Sequence, residues 1–157
     1  MKYIEAPSDY LCSGTDTTLF LAGGITSCPD WQKEMVGMLS ASRLTLLNPR
    51  RANWEMKAGI EEEQITWEKK HLLRADAILF WFPCETLCPI ALYELGAWSA
   101  RPKKLFVGCH PDYKRKKDIE IQTKLDRPTQ VIVHSLEDLA KQVLEWEANT
   151  GAFQESV

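Results

Sequence analysis

Short apolar runs alternate along this chain with stretches whose apolar residues recur at helical spacing. The first run, residues 18–22, ends in Gly23-Gly24, after which Ser27, Cys28 and Pro29 open a helix with Pro29 suited to its first position. Residues 44–47 form a second strand, stopped by Asn48-Pro49. A loop over 50–59 carries Trp54 and leads into a helix over 60–74, whose acidic start Glu61-Glu62-Glu63 suits the positive end of the helix dipole. The run 77–82, Ala-Ile-Leu-Phe-Trp-Phe, is apolar on both faces and so reads as the central strand. A helix over 89–100 follows, then a strand over 105–108, a helix over 114–125, a strand over 131–133 and an amphipathic helix over 136–146. The first ten residues and the last eight read as extensions.

Five strands, each followed by a helix, predict an α/β fold with a parallel sheet, right-handed crossovers and helices on both faces. The expected arrangement is a flavodoxin-like three-layer sandwich, one domain over residues 1–157, with strand order 2-1-3-4-5. In such sheets ligands bind beyond the carboxyl ends of the strands where the order reverses, here between the first and third strands. The loops 22–29 and 83–89 would line that crevice.

Composition narrows the function classes. Of 157 residues 45% are apolar and 26% charged, as in a folded protein rather than a disordered one. A net charge of -3 supplies no field for nucleic acid or an acidic membrane, and the basic run Lys114-Arg115-Lys116-Lys117 reads as solvated surface. With no signal peptide and no membrane-length apolar segment, the expected location is the cytoplasm. The cysteines at 12, 28, 84, 88 and 109 are odd in number and form no repeating framework, so they read as reduced thiols.

Two carboxylates break the apolar pattern. Glu94 is the one acid in the helix over 89–100, beyond the first turn where the dipole would favour it, on a side shared with Ile90, Ala97 and Arg101. A charge there is costly unless paired or used, and function is the better explanation. Glu68 shares a side with Ile65 and Leu72, and reads equally as a functional acid or as a surface acid at the edge of the stripe. Asp76 reads as a turn residue. Gly23-Gly24 allows close backbone approach of a ligand but lacks the dinucleotide-binding spacing. Asn48-Pro49-Arg50-Arg51 could offer an amide and guanidinium groups. Trp67, Trp81 and Phe82 could stack on a planar base, although core packing explains at least one of them. Cys84 and Cys88 fit no standard metal or redox spacing, and Cys88 at a helix start could have a lowered pKa. His110 beside Cys109 does not assemble a metal site, and His71, His110 and His134 form no catalytic triad.

The segments Phe20-Leu21-Ala22-Gly23-Gly24-Ile25, Leu47-Asn48-Pro49-Arg50-Arg51, Gln64-Ile65-Thr66-Trp67-Glu68 and Cys88-Pro89-Ile90-Ala91-Leu92-Tyr93-Glu94-Leu95-Gly96, with Gly108-Cys109-His110-Pro111, resemble the nucleoside 2-deoxyribosyltransferase-like family over about residues 18 to 145. The resemblance implies a homo-oligomer and a double displacement at the anomeric carbon of a nucleoside or nucleotide, needing no metal or redox cofactor. It makes Glu94 the nucleophile and Glu68, where relatives have an aspartate, the group that assists leaving-group protonation. Gly23, Gly24, Ile25, Asn48, Pro49, Arg50, Trp67, Phe82 and Cys88 are the expected substrate contacts. Phe20 stands where several relatives have a tyrosine that orients the nucleophile, a role open to Tyr93. Thr86, Leu87 and Cys88 occupy a loop that in transferases often holds a further aspartate, so glycosidic cleavage in general is better supported than transfer. The rival readings are a non-catalytic nucleotide-binding or sensing module in the same crevice, and a thiol-redox protein built on Cys84 and Cys88.

Overall fold

A computed structural model describes residues 1–10, 14, 16–54 and 57–154, with side chains through residue 150. Cys12 lies outside the described residues. Six strands form one all-parallel sheet: β1 (Lys2–Glu5), β2 (Thr18–Gly23), β3 (Thr45–Asn48), β4 (Ala77–Phe82), β5 (Lys104–Cys109) and β6 (Ile132–Val133). Five helices accompany them: α1 (Trp31–Met38), α2 (Ile60–Arg74), α3 (Pro89–Ser99), α4 (Lys116–Asp126) and α5 (Leu136–Gln154).

The order across the sheet is β1-β3-β2-β4-β5-β6, which corrects the expected five strands and their order. The difference is β1. Residues 2–5, read as an extension, add to the edge of the sheet beside β3, with Lys2 opposite Thr45 and Glu5 opposite Asn48. An edge strand with Lys2 and Tyr3 exposed and Ile4 and Glu5 only half-buried has no apolar run to announce it. The carboxyl-terminal extension is corrected too, since α5 continues to Gln154.

Alternation along the strands builds the two cores. Ile78, Phe80 and Phe82 of β4, with Phe20 and Ala22 of β2, meet Trp67 and Leu72 of α2, Ala91, Leu95 and Trp98 of α3, and Ile119 of α4. Ala77, Leu79 and Trp81, with Leu19 and Leu21, meet Trp31 and Met35 of α1 and Leu139, Ala140 and Val143 of α5. Hence α2, α3 and α4 cover one face, and α1 and α5 the other.

Helix ends follow local chemistry. α1 begins at Trp31 rather than at Pro29, because the Asp30 side chain caps it by accepting from the Lys33 amide at 3.0 Å. The buried stripe of α2 is Ile60, Gln64, Trp67, His71 and Leu72. Ile65, expected on that stripe, is 66% exposed, and Glu68 lies beside the stripe, four residues after Gln64. α3 buries Ala91, Leu95, Trp98 and Ser99, leaving Ile90 and Tyr93 in solvent, so the side carrying Glu94 is not the core side.

Candidate active site

The chain leaves β2 toward β3 and returns from β3 across β2 to β4, so the strand order reverses between β2 and β4. Gly23 pairs with Trp81 at the top of these strands, and the Gly24 amide donates to the Trp81 carbonyl at 3.3 Å. Beyond this point opens a cleft of about 750 Å³, in the range of small-molecule sites. Its wall includes Gly23, Gly24 and Ile25 after β2, Pro49, Arg50 and Arg51 after β3, Gln64 and Glu68 of α2, and Thr86, Cys88, Pro89 and Glu94 at α3.

The floor needs glycine. Gly23 has φ +151°, and a Cβ there would lie 2.1 Å from the Trp81 carbonyl oxygen and 2.8 Å from the Trp31 ring. A Cβ on Gly24 would meet Pro83 and the Cys88 sulfur at 2.8 and 2.9 Å. The Gly24 carbonyl is fixed from below by Trp31 Nε1 at 2.8 Å and Gln32 Nε2 at 3.2 Å.

Glu68 and Glu94 both face the cleft. Burial, the Glu68 charge nearby and only weak opposition from Lys69 push Glu94 up to about 7. Among the described residues Glu94 has no hydrogen-bond or ion-pair partner, and Tyr93, 77% exposed, does not orient it. Burial also raises Glu68, against a hydrogen bond donated by Gln64 and the charge of Arg51. Both acids are thereby held above the ordinary carboxylate range, Glu94 the more so because the Glu68 charge opposes its ionisation.

The two arginines do different things. Arg50 is committed to protein: Nη1 donates to the Pro29 carbonyl at 2.8 Å and to Gln32 Oε1 at 3.2 Å, and Nη2 to the Cys28 carbonyl at 3.1 Å. It holds the loop before α1 against the cleft. Arg51 donates through Nε to Gln64 Oε1 at 2.6 Å and through Nη1 to Glu63 at 2.8 Å, with its guanidinium over the Trp54 ring. Its Nη2 is buried and has no hydrogen-bond partner among the described residues.

Of the expected contacts, Gly23, Gly24, Ile25, Pro49, Arg50 and Cys88 line the cleft, and Asn48, Trp67 and Phe82 do not. Asn48 donates to the Tyr3 hydroxyl of β1 at 2.8 Å and accepts from the Arg50 amide at 3.0 Å. Trp67 donates to the Ser8 carbonyl at 2.8 Å and stacks on His71. Phe82 is fully buried between Phe80 and Tyr113. Cys88 keeps a neutral thiol: burial pushes it up to about 12, which corrects the lowered value expected at a helix start. Arg51 and Gln64 emerge as structural partners of Glu68, and the four-residue spacing from Gln64 to Glu68 was the available signal. No group of three or more His, Cys, Asp or Glu among the described residues is placed to hold a metal ion. No helix of the described residues is long and apolar enough to cross a membrane.

A parallel sheet with a carboxylate pair at its switch point defines a doubly wound α/β protein with a small-molecule cleft. Comparison with family models makes the assignment narrower: the nucleoside 2-deoxyribosyltransferase-like family matches residues 16–113, and the chain belongs to that family. The match takes in every residue of the cleft wall and omits β1. No curated protein matches the chain. Membership points to a nucleoside-processing enzyme.

Proposed function

We propose that the protein cleaves or exchanges the N-glycosidic bond of a nucleoside or nucleotide. The Glu94 carboxylate attacks the anomeric carbon as the carbon–nitrogen bond breaks; that electron pair goes to the base nitrogen, which takes a proton from Glu68. A glycosyl ester of Glu94 results. Water or a second base then attacks the same carbon, gives its proton to the Glu68 carboxylate, and releases Glu94. The observation that carries this reading is the pair itself: two carboxylates from different helices facing one cleft, the charge of one raising the other, and that other without a hydrogen-bond or ion-pair partner among the described residues.

In the free protein Glu94 holds its proton well, the opposite of what attack requires. Substrate changes this. Positive charge developing at the anomeric carbon favours the Glu94 anion, and the base nitrogen draws the proton to Glu68. Gly23 and Gly24 give the sugar a floor without side chains.

The test is incubation with deoxynucleosides and their monophosphates, followed by chromatography for free base and mass spectrometry of peptides. Released base with a glycosyl adduct on the Glu94 peptide supports the reading. An adduct on Glu68 exchanges the two roles. Tight binding with no base released makes the cleft that of a binding or sensing module. A homo-oligomer belongs to the same proposal, since Ile90 and Tyr93 leave an apolar side of α3 open beside the cleft mouth; sedimentation analysis decides it.

A further inference from the structure

We propose that Gln64 is a positioning residue that fixes which oxygen of Glu68 carries the proton, and that Arg51 fixes Gln64. The proposal rests on the glycosidic reading above, with Glu68 as proton donor.

Gln64 is 8% exposed, and three hydrogen bonds hold its side chain. Nε2 donates to the Pro49 carbonyl at 2.7 Å and to Glu68 Oε1 at 2.7 Å. Oε1 accepts from Arg51 Nε at 2.6 Å. An amide offers two hydrogens at nitrogen and lone pairs only at oxygen. Rotating this one by half a turn would set its oxygen against the Pro49 carbonyl and its hydrogens against the Arg51 N–H. Both contacts are repulsive, so a single orientation survives, and in it the donor faces Glu68.

That orientation has a consequence for Glu68. A neutral carboxyl group has one carbonyl oxygen and one hydroxyl oxygen, and an N–H donor selects the carbonyl. With Gln64 on Oε1, the proton resides on Oε2. Among the described residues Oε2 has no hydrogen-bond partner, so its proton is available to a departing base. When the proton leaves, the Gln64 hydrogen bond becomes one to a charged acceptor and strengthens. The Arg51 charge acts in the same sense. Gln64 therefore does more for the product of proton transfer than for the starting acid, which is what assistance to the transfer requires. A glutamine turned the other way would draw the proton inward to its own oxygen and disarm the acid.

The test compares two substrates in Gln64→Met, close in shape without donors, and in Gln64→Glu, which keeps an acceptor for Arg51. One substrate is a purine deoxynucleoside, whose base needs a proton to leave. The other is its 7-methylpurinium counterpart, whose base leaves neutral without one. Loss of assisted protonation lowers kcat/KM on the first by about 100-fold and on the second by no more than about threefold. Equal losses on both substrates overturn the proposal alone, since a merely structural residue would affect both. Failure of the unmodified protein to cleave either substrate overturns the glycosidic reading and this proposal together. Carboxyl carbon NMR supplies a readout besides activity: the Glu68 midpoint rises in both variants, and an unchanged midpoint overturns the proposal.

Discussion

Glu68 and Glu94 stand on different helices yet face the same cleft, and the charge of Glu68 raises the pKa of Glu94. Their separation is set by how α2 and α3 lie on one face of the sheet, so the pair is a product of the fold and not of any local motif. The coupling has consequences for stability as well as for chemistry.

Because Glu94 titrates near 7 in the folded protein and near 4.5 in a free chain, the folded state holds more protons between those values. The contribution of Glu94 to stability therefore falls as pH rises through that window and is constant on either side of it. Glu94→Gln is expected to abolish turnover and to remove this part of the fall, so that at pH 8 the variant exceeds the parent by about 1–3 kcal/mol. Urea unfolding of both proteins at pH 4.5 and pH 8 measures this. A parent at least as stable at pH 8, relative to the variant, as at pH 4.5 contradicts it.

Gly23→Ala is expected to cost about 3 kcal/mol or more, because a Cβ at φ +151° collides with backbone of β4. Thermal and urea midpoints report the loss. A cost below about 1 kcal/mol would mean that β2 and β4 separate easily at the cleft floor.

Trp67→Phe separates base stacking from packing. The substitution removes the hydrogen bond to Ser8 and should cost about 1 kcal/mol while leaving kcat/KM unchanged. A large drop in kcat/KM with stability intact would bring the indole back into substrate recognition.

Cys88, with its thiol pushed up to about 12 and its side chain buried, should resist a disulfide reagent at pH 8 in the folded protein and react once urea unfolds it. Rapid labelling of the native chain at Cys88 would revive the thiol-redox alternative.

The strands and helices from residue 18 onward were legible because each is either a continuous apolar run or carries a buried stripe, and β4 is the extreme case with all six residues buried. The carboxylates were legible because an acid stands out among apolar neighbours. β1 was not legible: four residues, Lys2 and Tyr3 exposed, leave no trace in hydrophobicity. That omission carried over to the site, since Asn48 is taken by Tyr3 of the strand that was missed. Phe82 and Trp67 failed for another reason. Sequence places Phe82 at the end of β4 and Trp67 in the middle of α2, but which way each ring points depends on Tyr113 and Ser8, distant in the chain. The mutual hold of Arg51 and Gln64 likewise required a loop and a helix to be brought together.

The edge strand also braces the wall of the cleft from behind. Tyr3 grips the Asn48 side chain, the Ala6 amide donates to the Asn48 carbonyl at 3.0 Å, and Glu5 accepts from the Ala52 amide at 2.8 Å. The turn that presents Pro49, Arg50 and Arg51 is thereby clamped by a segment lying outside the residues matched by the family. Trimming the first six residues would leave both acids in the chain while loosening the scaffold that aims one of them.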